Sequence, residues 1–192
     1  MIMNYRTALL IPFFLSLLSG CGQKNDTKTS EQSQSQNVSS TSNVAEVLSV
    51  TTRGEKVPNF SWKDNTNRTI DFDSFRGKVT LINFWATWCG PCKRELPDLV
   101  ALSKELEGRN IKILGISTDR TPNALELVSS FVQEQGIPYQ NILSNDELED
   151  AFGNPRAIPT SFLIDANGAI AQTFVGMRSK DFFRQALLSA SQ

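Results

Sequence analysis

Apolar residues fall into three kinds of stretch along the chain. Ala8–Leu18 (ALLIPFFLSLL) is an almost continuous apolar run, shorter than the ~20 residues a helix needs to span a bilayer. Residues 22–52 are dominated by Ser, Thr, Gln and Asn, as in SEQSQSQNVSSTSN. Such a stretch cannot bury enough apolar surface to offset the entropy of ordering it. From residue 53 onward, runs of strand and helix periodicity alternate. Asn59–Trp62 and Arg68–Phe72 read as short strands around a polar Lys63-Asp64-Asn65 turn. Val79–Trp85 (VTLINFW) and Ile111–Ser117 (IKILGIS) have the nearly unbroken, β-branched pattern of strands buried on both faces. Pro91–Glu107 carries Leu96, Leu99, Val100, Leu102 and Leu106 near helical spacing, and Ala124–Gln135 is amphipathic and stops at Gly136. Tyr139–Leu143 predicts a short strand and Asp146–Phe152 a short helix. Thr160–Ile164 and Ala169–Phe174 predict strands joined by a tight turn at Asp165-Ala166-Asn167-Gly168. Ser179–Ser189 closes the chain as a helix with Ser179 as its N-cap.

Strand–helix alternation implies right-handed crossovers and helices on both faces of a sheet, and the last hairpin adds an antiparallel edge. The expected fold is an α/β three-layer sandwich around a mixed central sheet. Three segments are expected: a leader over 1–20, a tether over 21–52 and one domain over 53–192. About 30 residues of coil give the tether an r.m.s. reach of roughly 30 Å.

Composition narrows the chemistry. With 192 residues, 40% hydrophobic and 20% charged, and a net charge of −1, the chain is of ordinary globular type and lacks the basic surplus of a nucleic-acid binder. It has no histidine. That excludes a His general base, a His-containing zinc or copper site, a Cys–His nucleophile and a CxxCH haem attachment. Three cysteines are too few for a disulfide-stapled scaffold, so each has its own reading.

Cys21 closes the leader. Arg6 supplies a positive n-region, Ala8–Leu18 the apolar core, and Leu18-Ser19-Gly20-Cys21 follows. This resembles the lipobox of bacterial lipoproteins, which implies that Cys21 is lipidated and becomes the mature N-terminus. Several acyl chains are enough for stable membrane anchoring. Gly22 after the cysteine, rather than Asp, favours the outer membrane by resemblance to the sorting pattern of enteric bacteria.

Cys89 and Cys92 stand in Trp88-Cys89-Gly90-Pro91-Cys92, after a buried strand and at the start of a helix. Two cysteines so spaced on a first helical turn can close a small disulfide ring. At the helix N-terminus, unpaired N–H groups and the macrodipole favour a Cys89 thiolate and lower its pKa below the free value of about 8.5. Cys92 lies one turn inward and is more shielded. Cys89 is therefore the attacking thiol and Cys92 the resolving one. Pro91 is tolerated because its missing N–H is not needed in a first turn. Two other readings exist for a lone CxxC. A zinc site lacks ligands, with no other free Cys and no His. A purely structural disulfide closing so short a loop stabilises little.

The segment NFWATWCGPCKRELP resembles the active-site segment of the thioredoxin superfamily, and the resemblance spans about residues 53–192. It implies a thioredoxin-like fold. Ile158-Pro159 before SFLID resembles the superfamily's cis-proline loop, where Ile158 backbone groups pair with an extended substrate chain by strand addition. Val175-Gly176 resembles the glycine loop lining the same groove, and Pro97 the proline that kinks the active-site helix. Trp88, Gly90, Pro91, Ile158, Pro159 and Gly176 are thus the expected substrate-binding set, with Trp88 as an apolar shelf beside Cys89 and Trp85 partly core.

The wide Cys89-to-Pro159 spacing implies a central helix–strand insertion near 123–143. With Val57-Pro58-Asn59-Phe60 opening the domain at an extra N-terminal hairpin (Asn59–Trp62 with Arg68–Phe72), and with the lipobox, the chain resembles the membrane-anchored TlpA/ResA-type thiol:disulfide oxidoreductases. Minimal thioredoxins carry an acid two residues before the Trp-Ala pair. Here that position is Asn83, which cannot shuttle a proton. Glu95, one turn beyond Cys92, matches the acid of the TlpA/ResA pattern and is expected to deprotonate Cys92 during resolution, alongside Cys89 and Cys92 as catalytic residues. The alternative for Glu95 is a solvated helix glutamate paired with a basic neighbour.

The resemblance implies a periplasm-facing protein-disulfide reductase. Its partners would be a membrane thiol transporter as donor and protein disulfides, apocytochrome c among them, as acceptors. A monomer with no metal and no cofactor beyond the Cys89–Cys92 disulfide is expected. A disulfide oxidant or isomerase is the alternative, and a binding lipoprotein would not require both thiols. A peroxiredoxin-type peroxidase places Pro and Thr or Ser seven and three residues before its reactive cysteine, where this chain has Ile82 and Ala86. The exposed-type cations Lys93, Arg94 and Arg156 read as scattered surface charge.

Overall fold

The computed structural model describes residues 43–192 apart from 54, 55 and 65. The leader, the lipobox cysteine Cys21 and the tether up to residue 42 lie outside the described residues. Among the described residues, eight strands form one mixed sheet: β1 (Val44–Arg53), β2 (Lys56–Lys63), β3 (Thr69–Asp71), β4 (Val79–Trp85), β5 (Ile111–Ser117), β6 (Asn141–Leu143), β7 (Thr160–Ile164) and β8 (Ile170–Val175). Four α-helices of the described residues accompany them: α1 (Gly90–Glu105), α2 (Ala124–Glu134), α3 (Asp146–Ala151) and α4 (Lys180–Ala190), with a 3₁₀ turn at Phe72–Phe75. The strand order is β3-β2-β1-β6-β5-β4-β7-β8.

The apolar runs account for the centre of this sheet. All seven residues of β4 are buried, because the strand is flanked by parallel β5 and antiparallel β7 and covered on both faces. Its side chains alternate. Val79, Leu81 and Trp85 face a core built with Leu96, Leu99 and Leu102 of α1, Val128 and Val132 of α2, and Phe183 and Leu187 of α4. Ile82 and Phe84 face a second core with Phe60 and Trp62 of β2, Phe72 of the 3₁₀ turn, and Leu148 and Phe152 at α3. This is the expected three-layer thioredoxin-like sandwich.

The tether was expected to run to residue 52, but residues 44–52 belong to the sheet. Val44–Glu46 pair in parallel with β6, and the remainder of β1 pairs antiparallel with β2. Asn43 fastens this start: its amide donates to the Ile137 and Tyr139 carbonyls, and its own carbonyl accepts from Asn141 N–H at 2.7 Å. The N-terminal hairpin is therefore β1–β2, extended by β3.

The last hairpin turns as expected. Asp165 Oδ1 accepts from the N–H groups of Asn167 and Ala169, both at 2.9 Å, and Gly168 takes φ +83°. The positive φ favours glycine there, and a Cβ would stand 1.8 Å from Arg76 Nη1 and displace the end of that side chain from its bond to the Asn167 carbonyl. Ser179 caps α4 through Phe182 N–H, and Asp98 of α1 accepts from Lys180 N–H at 2.8 Å, fastening α4 to α1.

Candidate active site

Strand β4 delivers the site. Past Trp85 the chain leaves the sheet, and α1 begins at Gly90, with Cys89 as the residue that caps it in extended conformation (φ −78°, ψ 108°). The Cys89 Sγ accepts the Cys92 backbone N–H at 3.2 Å, one of the donors a helix start leaves unpaired. Pro91 sits in the first turn, and Pro97 inside the helix, where its missing N–H leaves the bond to the Lys93 carbonyl unmade. Cys89 and Cys92 are joined as a disulfide, and both are almost fully buried.

The groove residues meet at this disulfide. The Ile158–Pro159 peptide bond is cis, and the Ile158 carbonyl oxygen lies 3.6 Å from Cys89 Sγ. Pro159 in turn accepts the Gly176 N–H at 2.8 Å, with Gly176 at φ +84°. Three of the large exposed apolar side chains, Trp88 (67% exposed), Val175 and Met177, flank these residues in sequence. Trp85 is wholly buried and donates its indole N–H to Asn141 Oδ1 at 3.1 Å, so it is core rather than partly core.

Glu95 is not a solvated helix glutamate. It is 1% exposed, and its carboxylate accepts Asn83 Nδ2–H on Oε2 at 3.0 Å and the Arg178 backbone N–H on Oε1 at 2.8 Å. Burial raises its pKa above the ordinary value, against the two N–H donors and the Arg178 charge, which favour the ionised form; Asp98 adds to the rise. Asn83 spends its second N–H on Ser161 Oγ at 2.9 Å.

A second buried carboxylate, absent from the sequence reading, holds the loop before Cys89. Asp119, just past β5, accepts the Thr87 hydroxyl at 2.6 Å, the Thr87 N–H at 3.0 Å and the Ser117 hydroxyl at 2.7 Å. Its position beyond the carboxyl end of a parallel strand, where sites form in α/β sheets, was the available signal. Ser161 and Arg178 were also missed, since each meets the site only through contacts between residues far apart in the chain. Lys93, Arg94 and Arg156 are exposed. Ile82 and Ala86 are buried apolar residues, with no hydroxyl to serve a peroxidase at either position.

Residues 53–173 match the AhpC/TSA family. A thiol-disulfide oxidoreductase ResA from Bacillus thuringiensis subsp. konkukian is 30% identical over 135 residues, covering 70% of this chain and 76% of the relative. The chain belongs to the AhpC/TSA family and is a ResA-like thiol-disulfide oxidoreductase. ResA from Geobacillus thermodenitrificans is likewise 30% identical over 137 residues, covering 71% of this chain and 76% of its own length. Among solved structures, a thiol:disulfide interchange protein of the thioredoxin family from Chlorobium tepidum superposes with a TM-score of 0.65 at 34% identity, covering 73% of this chain and 99% of that one. In this oxidoreductase the disulfide lies against the cis-proline loop, and its helix carries a buried acid one turn beyond Cys92. Among the described residues no helix is long and apolar enough to cross a membrane.

Proposed function

We propose that this oxidoreductase reduces protein disulfides outside the cytoplasm while held to a membrane by a lipid on Cys21. The observation that carries the reductive half is the placement of Cys89 at the N-terminus of α1, against the Ile158 carbonyl, with Glu95 buried one turn beyond Cys92. In the reduced protein the Cys89 thiolate attacks one sulfur of a substrate disulfide. A Cys89–substrate bond forms, and the other substrate sulfur leaves as a thiolate that solvent protonates. Glu95 then takes the proton from Cys92. The Cys92 thiolate attacks Cys89 Sγ, the Cys89–Cys92 bond forms, and the second substrate sulfur departs as a thiolate. Two electrons pass from the dithiol to the substrate, and no cofactor beyond this dithiol is required. Gly90-Pro91 between the cysteines, as in thioredoxin, supports reduction over oxidation.

The substrate chain lies along Ile158 and Pro159, over Trp88, Gly90, Pro91 and Gly176. In an oxidising compartment the dithiol needs a donor, and a membrane thiol transporter fills that role. Disulfides of apocytochrome c are one acceptor class that fits a ResA-like protein acting as a monomer. The anchor rests on the lipobox alone: Leu18-Ser19-Gly20-Cys21, with Gly22 favouring the outer membrane.

The Cys92→Ser chain is expected to accumulate mixed disulfides with its partners through Cys89, released by reductant; absence of any covalent partner would sink the reading. The Cys89–Cys92 reduction potential decides direction. A value near about −270 mV supports a reductase, and one near about −120 mV an oxidant. Labelled fatty acid should enter the wild-type chain and not Cys21→Ser.

A further inference from the structure

The hydrogen bonds around Glu95 change roles when it is protonated. In the ionised form both carboxylate oxygens face donors: Asn83 Nδ2–H at Oε2 and Arg178 N–H at Oε1. When Glu95 takes the proton from Cys92, it becomes a donor itself and needs an acceptor. The Arg178 main-chain N–H can only donate, so Oε1 stays the accepting oxygen and the proton belongs on Oε2. Oε2 then carries an O–H and a remaining lone pair beside an amide nitrogen that donates, and in the oxidised protein Cys92 offers that O–H no thiolate to bond.

Asn83 can settle this. A half-turn of its side-chain amide puts Oδ1 where Nδ2 stands. Oδ1 then accepts from the acid, and Ser161, whose hydroxyl now accepts from Asn83 at 2.9 Å, turns to donate to the same oxygen. The bonds to Glu95 and to Ser161 each have a counterpart in the protonated arrangement, while the two amide N–H groups turn to the side that Oδ1 now occupies. An aspartate at this position could not do so in its ionised form, which only accepts. Asn83 and Ser161 are both nearly fully buried, so water cannot readily make up a missing partner.

We propose that Asn83 is a positioning residue that serves both protonation states of Glu95, donating to the carboxylate and accepting from the acid by a flip of its amide, with Ser161 reversing its hydroxyl. This rests on the reading of Glu95 as the base for Cys92. The other groups facing Glu95 are Asp98 on α1, Arg178 before α4 and Tyr139 before β6, with the Cys89–Cys92 pair one turn away. None of them replaces Asn83 as partner of Oε2.

The test uses the full chain with Cys21→Ser in mild detergent, leaving two thiols. In the oxidised protein, the Glu95 carboxyl carbon is followed by NMR against pH and identified by its loss in Glu95→Gln. The Asn83 side-chain amide signals, identified by their loss in Asn83→Asp, are expected to move with the same midpoint. Amide signals that stay constant while Glu95 titrates overturn the proposal. In the reduced protein, dithiobis(nitrobenzoate) releases one thiolate when Cys89 is captured and a second when Cys92 resolves it. For Asn83→Asp, the midpoint of the second release should rise by about one pH unit or more, because two carboxylates then share the site. The first release should change less than twofold. A folded Asn83→Asp chain with an unmoved midpoint overturns the proposal; if that chain does not fold, the wild-type NMR titration decides. Glu95→Gln is expected to abolish the pH limb of the second release. If it keeps that limb, the reading of Glu95 as base fails. If it loses the limb while Asn83→Asp leaves it unmoved, only the assignment of Asn83 fails.

Discussion

Two buried carboxylates lie close in sequence or space to the same dithiol, and they are held in different ways. Asp119, 3% exposed, accepts three bonds, two of them from hydroxyls, and ties Thr87 to the end of β5. Glu95, 1% exposed, accepts two N–H bonds, and burial pushes its pKa up despite them. A carboxylate saturated by donors is a structural clamp. One that burial disfavours and donors only partly compensate is suited to accept a proton. The difference teaches that burial alone does not mark a general base; the donor count around the carboxylate does.

The sharpest test of that contrast is kinetic. Glu95→Gln should slow the Cys92-dependent resolution step at neutral pH by about 100-fold or more, the scale of a lost general base, while Cys89 alkylation in the reduced protein stays within about twofold. Stopped-flow release of the second thiolate measures the first, and iodoacetamide kinetics the second. An unchanged resolution rate would remove Glu95 from the mechanism. Asp119 should show the opposite profile. Asp119→Ala strips Thr87 and Ser117 of their acceptor and is expected to cost about 3 kcal/mol of stability, read from the denaturant midpoint. Its resolution step should keep the wild-type pH dependence, since Glu95 and Asn83 are untouched. A loss below about 1 kcal/mol would mean the three bonds are replaced by water and the clamp is not one.

The sequence was legible where local pattern and local chemistry coincide. VTLINFW and IKILGIS are apolar on both faces and became β4 and β5 with the expected bounds. Cys89, Cys92 and Pro159 stand out because their spacing and neighbours repeat a known arrangement. Strand β1 was missed for a physical reason. Its register shifts between Val47 and Ser49, Leu48 there is 52% exposed, and its two halves pair with different partners, so no single alternation runs through it. Asn83 was noted for what it lacks relative to an acid. That it holds Glu95 on one N–H and Ser161 on the other depends on residues 12 and 78 positions away. Asp119 reaches Thr87 across 32 positions, and Arg178 reaches Glu95 across 83. Such bonds are set by the sheet order and leave no periodic trace.

The smallest effect expected is thermodynamic, and it tests the Glu95 side of the contrast without any assay of activity. Because burial raises the Glu95 pKa in the folded chain above its unfolded value, near 4.5, the folded form binds more protons than the unfolded form between the two values. Unfolding free energy contributed by this group is therefore greatest below the lower value. It falls as pH rises through the window and stays low above the upper one. The ionised carboxylate is tolerated for its chemistry at some cost to the fold. Glu95→Gln has no proton to exchange, and its amide can be met by the same turn of Asn83. The oxidised wild type should therefore lose stability relative to oxidised Glu95→Gln as pH rises from about 4.5, by 1.4 kcal/mol for each unit by which the folded pKa is raised. Paired denaturant titrations across that range measure the difference directly, with the contributions of the other carboxylates cancelling to the extent that they are shared. Two curves that run parallel would mean that the two donors fully offset burial, and Glu95 would then lack the raised pKa that suits a base.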